Sequence, residues 1–364
     1  MVTHAVADEE GHHEDPLGLA DAGSFRRLDA EQLDRSRDPL DFAGYAEQLA
    51  ASDRGGLRES VVAGTARIGG QDVVLVLSQF AAFGGSMGQV HGIRVARAMA
   101  TARDQRVPFV AALASGGARM QEGVVSLLQM TRTALASTRL REEGIPQIAL
   151  LRTPTTGGVF ASYASLADVI LAEAGATVGF AGPRVVEAMT GEQPTGRSHT
   201  AESALRSGLV DGVFARPDIR AAVGGWAALL APATRSGPLP SCPSPGSPDR
   251  PALETWELVQ RARRTDRPRA RAYVDSLVPC LAELHGDRAG VDDPSMIAGV
   301  GRIGGRTVAV LGLAGGAPTP GAFRLATRTA ALATRLGLPL IRRGLPRSCT
   351  GICPAPGTWQ GSSG

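Results

Sequence analysis

The sequence predicts an α/β fold that holds one complete copy and the start of a second copy of the same unit. Three observations carry this. Apolar runs at Val110–Leu113 and Ile148–Leu151 each lead into a Gly pair, Gly116-Gly117 and Gly157-Gly158, and then into a helix-like run. The stretch Ala298-Gly-Val-Gly-Arg-Ile-Gly-Gly-Arg-Thr-Val-Ala-Val-Leu311 mirrors the one from Ala63 to Val76, with Arg302 standing where Arg67 stood. Between the two copies, Pro238 to Pro251 is dense in proline and serine, which marks an extended linker.

Composition narrows the class. A chain of 364 residues has room for two ordinary domains, and 43% hydrophobic with 20% charged residues is a globular balance. A formal charge of +3 from 38 basic and 35 acidic residues is nearly even, which argues against a dedicated nucleic-acid binder. The lead from Met1 to Glu14 is acidic with no apolar core of a signal. No apolar run approaches the roughly 20 residues that span a bilayer. A soluble, cytoplasmic protein without membrane or nucleic-acid partners is expected.

Residues 1–22 read as a disordered lead in which His12 and His13 are solvated. An amphipathic helix is expected from Phe25 to Ala51, with Leu28, Leu33, Phe42, Tyr45 and Leu49 as its apolar set. A hairpin follows, Ser60 to Ile68 and Val73 to Ser78 around Gly69-Gly70. Phe83-Gly-Gly-Ser-Met-Gly88 is a Gly-rich loop before a helix over Gly92–Arg103. Strands are expected at 109–113, 145–151 and 168–173, with helices after each Gly pair. In the first of these, Leu127, Leu128, Met130 and Leu135 form the apolar set, and Met130 reads as core packing. A domain at 23–235, a linker at 236–252 and an incomplete domain at 253–341 result.

Beyond Leu340-Ile341 a strand and Gly-pair turn are expected but do not follow. Residues 342–364 show neither alternation nor helical period, and read as non-native translation, a frameshift being favoured, or as an unstructured end. Cys349 and Cys353 lack companion ligands in the sequence, so no metal is expected.

Both Gly pairs place backbone N–H groups at a helix start, where they can face a ligand above the turn. They are read either as oxyanion donors or as ordinary helix-start glycines of an α/β fold; spacing leaves both open.

Taken together, Asp38-Pro-Leu-Asp-Phe42, Phe83-Gly-Gly-Ser-Met-Gly88, Ala114-Ser-Gly-Gly-Ala-Arg-Met-Gln-Glu-Gly123, Pro154-Thr-Thr-Gly-Gly-Val159 and Gly179-Phe-Ala-Gly-Pro-Arg184 resemble the β subunit of acetyl-CoA carboxylase carboxyltransferase. Trp256-Glu-Leu-Val-Gln260, Asp266-Arg-Pro-Arg269 and Glu283-Leu-His-Gly-Asp-Arg288 resemble the opening of its α subunit. The resemblance implies a crotonase-like superhelix of ββα units, with the linker joining two subunits that are often separate. It implies transfer of the carboxyl group from carboxybiotin, held on a biotin carboxyl carrier protein, to acetyl-CoA, giving malonyl-CoA for fatty acid synthesis. A biotin carboxylase and a homo-oligomer built through the carboxyltransferase halves are the implied partners. Biotin is carried by the partner, not on this chain.

Carried over by motif, Gly157, Gly158 and Val159 would form the oxyanion hole. Gly116, Gly117, Ala118 and Arg119, with Gly182 and Arg184, would line the acyl-CoA side. Arg119 and Arg184 are read either as partners of phosphate or carboxylate oxygens or as ion pairs with Glu122 and Glu187. His91 and His199 are read as surface or loop residues rather than bases; the family's chemistry lets biotin itself take the methyl proton. Two departures stand out. Residues 1–50 contain no cysteine, so the zinc ribbon common at this end of the family is not expected. The α-like half also stops before the Gly turn that would face biotin. Readings kept beside the acetyl-CoA enzyme are a propionyl- or acyl-CoA carboxylase, a malonyl-group decarboxylase, and a non-catalytic acyl-CoA-binding assembly subunit.

Overall fold

A computed structural model describes residues 15, 18–28, 37–54, 59–191, 198–235, 254–264 and 266–343. The expectations for the lead before Asp15, the linker, and Cys242, Cys349 and Cys353 lie outside these residues. In chain order the first unit comprises β1 (Arg26–Arg27), α1 (Tyr45–Arg54), β2 (Val61–Ile68), β3 (Gln71–Ser78), α2 (Gln89–Gln105), β4 (Phe109–Ser115), α3 (Val124–Glu142) and β5 (Gln147–Thr156). It continues with β6 (Val169–Glu173), β7 (Val178–Gly179), α4 (Pro183–Thr190), α5 (Ala201–Arg206), β8 (Gly212–Phe214) and α6 (Ile219–Leu230). The second unit holds α7 (Thr255–Arg263), α8 (Ala270–Leu277), β9 (Ala282–Glu283), β10 (Met296–Ile303), β11 (Arg306–Leu313), α9 (Pro320–Leu336) and β12 (Leu340–Arg343).

The first unit forms an eight-stranded sheet in the order β1-β2-β3-β4-β5-β6-β8, with β7 continuing beside the end of β5. Its central strands are parallel and covered on both faces, which is why they read as unbroken apolar runs. Val74, Val76, Ala111, Leu113, Ala149 and Leu151 point into one core with Val95, Ala98 and Met99 of α2. Their neighbours Leu75, Leu77, Val110, Ala112, Ile148 and Leu150 point into the other, against α6.

The duplication extends to single hydrogen bonds. Both hairpins turn through a Gly pair in the left-handed region, Gly69-Gly70 and Gly304-Gly305. Both are followed by a helix of 17 residues that ends in a left-handed cap. Val74 N–H then donates to Pro108 O at 3.0 Å, and Ala309 N–H donates to Pro339 O at 2.9 Å, starting a parallel strand each time. In the second unit that strand, β12, runs to Arg343, two residues past the expected boundary, and closes a four-stranded sheet in the order β12-β11-β10-β9.

The two units share a core. α6, to which the sequence reading assigned no role, lies between them. Val223, Trp226 and Leu230 bury against the first sheet and against Val300, Ala309 and Leu311 of the second. Burial of this kind contributes roughly 1.5–3 kcal/mol per large side chain. Gly224 is required by the close approach, since a Cβ there would lie 3.2 Å from Ile68 Cγ2. Charged pairs flank the junction. Asp211 accepts from Arg288 and from Arg328 (2.9 Å), and Asp168 accepts from Arg335. Asp168 Oδ2 also takes the N–H of Gln147 and Asp211 Oδ2 that of Ile170. The junction ion pairs therefore sit at the amino ends of β5, β6 and β8.

Two expectations fail. In place of a helix from Phe25, Arg26-Arg27 form an edge strand paired with Thr65 and Gly64. α1 begins only at Tyr45, because Asp41 (φ 48°) and Gly44 (φ 76°) adopt left-handed conformations that no helix contains. Nor are Leu127, Leu128 and Leu135 core residues; all three are more than half exposed.

Burial penalises the Asp211 carboxylate, but Arg288, Arg328 and the Ile170 N–H outweigh that and hold its pKa below the ordinary value. A lowered carboxyl pKa contributes stability that is fully present above about pH 4, the unfolded value, and is lost as pH falls through the folded one. We predict that Asp211→Asn costs about 3 kcal/mol at neutral pH by removing the carboxylate that Arg288 and Arg328 share, and flattens the acid limb of a melting-temperature profile. We also predict that Arg106→Gly stabilises the chain by about 0.5–1 kcal/mol in urea titrations. Arg106 holds the left-handed cap position (φ 53°) that Gly337 fills in the second copy, and its charge opposes that of Arg235.

Candidate functional site

The parallel strands β4 and β5 end side by side, with Ser115 in register with Thr155. Their two Gly turns consequently meet. A Cβ on Gly117 (φ 114°) would lie 3.2 Å from Gly157 Cα and 3.3 Å from Gly158 N, and one on Gly157 (φ 61°) would lie 2.9 Å from Gly117 Cα. Only glycine satisfies both the left-handed backbone and this approach.

Hydrogen bonding sorts the N–H groups of the turns. Gly116 N–H donates to Gly84 O (3.0 Å), Gly117 N–H to Ser115 Oγ (3.0 Å) and Arg119 N–H to Met87 O (3.0 Å). Gly157 N–H donates to Phe180 O at 2.8 Å. Gly157 thus serves the turn, and its N–H is taken. Ala118 N–H meets no acceptor among the described residues. Gly158 and Val159 open the short helical turn Gly157–Val159, where the first N–H groups have no intrahelical acceptor. A Cβ on Gly158 would lie 3.5 Å from Ala118 N and 3.1 Å from Met130 Sδ, so the open amides of both turns lie close together beside the Met130 thioether. Met130 itself packs on the core.

Gly182 stands at the N-cap of α4, with Thr156 Oγ1 3.9 Å from where its Cβ would be. Arg184 lies in the first turn of that helix; the expected pairing of its side chain falls outside the described residues. His199 is half-buried beside β7, its Nδ1 3.0 Å from Ser198 Oγ.

Arg119 does not line an accessible wall. It is fully buried beneath the first turn, where the ion pair expected with Glu122 forms (3.2 Å) and a closer one with Glu59 joins it. Its remaining donors reach Tyr45 Oη (3.2 Å), Ser60 Oγ (3.0 Å) and Ser86 O (2.8 Å), and the guanidinium stacks 4.3 Å from the Phe83 ring centre. Burial alone would favour the neutral form, but the Glu59 carboxylate and Tyr45 hold the Arg119 pKa above its ordinary value. The Tyr45 phenol is pushed up by burial, against the pull of Arg119.

His91 is not at the surface either. It is buried on the inner face of α2, with Nδ1 2.8 Å from Ser60 Oγ and Nε2 3.1 Å from Tyr163 Oη. Burial, aided by Arg119 and Arg94 and opposed by Glu59, pushes its pKa down to about 3, so the ring is neutral. Glu59, Ser60 and Tyr163 were not foreseen; no motif spacing marks them, because they converge only through the fold. Around the turns, Met120, Val124, Leu127, Leu128 and Phe180 are more than half exposed. Among the described residues no group of three or more His, Cys, Asp or Glu is placed to hold a metal, and no helix is long and apolar enough to cross a membrane.

Residues 21–342 match the carboxyl transferase domain family. The acetyl-coenzyme A carboxylase carboxyl transferase subunits beta/alpha of Salinispora tropica are 40% identical over 352 residues, covering 89% of this chain and 61% of the relative. A probable biotin-dependent acyl-coenzyme A carboxylase beta3 subunit of Mycobacterium bovis is 38% identical over 331 residues, covering 89% of this chain and 65% of the relative. The chain therefore spans about three-fifths of the length of the curated relatives it matches. Among solved structures, transcarboxylase 12S with hydrolysed methylmalonyl-coenzyme A bound superposes with a TM-score of 0.68 at 23% identity, over 93% of this chain and 67% of that one, a likeness of fold. The chain belongs to the carboxyl transferase domain family and has the crotonase-like fold of its carboxyltransferases.

Proposed function

We propose that this chain is the acyl-CoA-binding part of a biotin-dependent carboxyltransferase that carboxylates acetyl-CoA to malonyl-CoA. The observation that carries the reading is the closeness of the open amides of Ala118 and of Gly158-Val159 at the junction of two Gly turns.

Carboxyl transfer to a thioester requires loss of a proton from its α-carbon, and charge then gathers on the thioester oxygen. Preorganised N–H donors at that oxygen are worth about 3–4 kcal/mol each in lowered barrier. We assign this role to Ala118 N–H and Gly158 N–H, with Val159 N–H beside them. Gly158 adds no side chain between its own amide, Ala118 N and the Met130 thioether. Gly116, Gly117 and Gly182 shape the walls, and Arg119 supports them from below. His91 is excluded as the base, since both ring nitrogens are engaged in the interior. Biotin on a carrier protein supplies the activated carboxyl group. No residue is assigned to hold it, because the described part of the second unit ends at β12.

The exposed apolar residues around the turns support closure by another chain. The second unit of the same chain does not provide it, since the junction ion pairs lie at the opposite strand ends. A second copy, a biotin carboxyl carrier protein and a biotin carboxylase are the proposed partners, with action in the cytoplasm. The mycobacterial relative favours a second reading, carboxylation of a longer acyl-CoA.

Three measurements test these statements. Gly158→Ala fits its backbone and presses only on the Met130 thioether, so the melting temperature should hold while carboxyl transfer falls about 10²-fold; unchanged turnover would remove the oxyanion assignment. Gly157→Ala meets main chain at a left-handed φ and should instead destabilise the fold by more than about 1 kcal/mol. With acetyl-, propionyl- and malonyl-CoA compared, kcat/KM for acetyl-CoA should lead propionyl-CoA by about tenfold, the discrimination one methylene allows. Equal or better use of propionyl-CoA would select the second reading.

A further inference from the structure

The two Gly turns are joined beneath the proposed site by an unbroken chain of buried polar groups. It starts at Tyr163, in the turn Phe160–Ala164 that directly continues Gly157–Val159. Tyr163 Oη lies 3.1 Å from His91 Nε2, His91 Nδ1 lies 2.8 Å from Ser60 Oγ, and Ser60 Oγ lies 2.8 Å from Glu59 Oε1. Glu59 closes on Arg119, the residue that directly follows Gly116-Gly117-Ala118.

One proton assignment satisfies the whole run. The Tyr163 hydroxyl donates to His91 Nε2, Nδ1–H donates to Ser60 Oγ, and the Ser60 hydroxyl donates to the Glu59 carboxylate. The assignment needs a neutral imidazole, the state that burial imposes on His91. Every one of these five side chains is at least about nine-tenths buried, so none is placed to touch a substrate. Arg119 also donates to Ser86 O (2.8 Å), and Glu122 accepts from Gln89 N–H (2.6 Å), which fixes the Phe83–Gly88 loop against the first turn; Ser86 O, 2.7 Å from Ser60 Oγ, is the competing acceptor for the one Ser60 proton.

We propose that Glu59, Ser60, His91 and Tyr163 are positioning residues that set the distance between the two turns, and hence between their open N–H donors. The inference rests on the oxyanion reading above. Donor placement matters because displacement by about 1 Å at a reacting centre can cost 10²-fold in rate. The chain of bonds, unlike apolar packing alone, is directional.

The test uses the full chain with a biotinylated carrier protein kept carboxylated by a biotin carboxylase with bicarbonate and ATP. Glu59→Gln removes the closer of the two carboxylates that Arg119 meets among the described residues and can prevent folding, so the deciding variant is Tyr163→Phe. It keeps the ring and removes only the bond to His91. The expected result is a fall in kcat of about tenfold, KM for acetyl-CoA within about twofold of wild type, and faster amide hydrogen exchange at Gly158 and Val159 but not in α9. A residue that serves packing alone would change none of these selectively. Unchanged kcat and unchanged exchange at the two amides would overturn the proposal. Should wild type itself fail to turn over acetyl-CoA, the proposed function falls, while the exchange measurement still decides whether this chain of bonds holds the turns.

Discussion

A guanidinium stripped of water is tolerated only where carboxylates and carbonyls replace the lost hydration, and Arg119 lies fully buried between Glu59 and Glu122. From that point the surrounding backbone is constrained in three directions. Tyr45 brings in α1, Ser86 brings in the Phe83–Gly88 loop, and Glu59 leads to the start of β2. The adjacent turn cannot slide, because Arg119 N–H and Gly117 O both bond Met87 in a short parallel bridge. Such a group adds little net stability over apolar packing, since the desolvation cost is large. Its consequence is geometric: Gly116, Gly117 and Ala118 are held in one arrangement against Gly157 and Gly158.

The same arrangement divides labour between the two ends of the sheet. At the carboxyl ends of β4 and β5, glycines let two backbones touch and leave N–H groups open. Charged pairs from Asp168 and Asp211 dominate at the amino ends of β5, β6 and β8 and dock the second unit, while α6 fills the apolar space between the sheets. The open turn amides and the interdomain contacts are thereby separated across the sheet. The apolar residues left exposed near the turns belong to the first end.

The legible part of this protein was local. Alternation of apolar residues, Gly pairs at strand ends and a repeated hairpin were enough to read the central strands, both hairpins and the duplication, because each follows from backbone preference within a few residues. Long motif blocks named the family for the same reason. Less was legible at Phe25–Ala51, where apolar spacing suggested a helix but left-handed residues at Asp41 and Gly44 interrupt it. On α3, Leu127, Leu128 and Leu135 follow a helical period, yet the period says only that they share a side, not what covers that side.

By itself the sequence determined the α/β class, the repeat and the two Gly turns, since these depend on neighbouring residues. Only the tertiary structure decided which turn amides remain open, that Arg119 is internal and that His91 is neutral and enclosed. Those outcomes depend on contacts between residues far apart in the chain, such as Glu59 with Arg119 and His91 with Tyr163, whose distances no spacing rule encodes. A side chain's charge and reach are written in its type, but whether it meets water or a carboxylate is settled by what the fold places opposite.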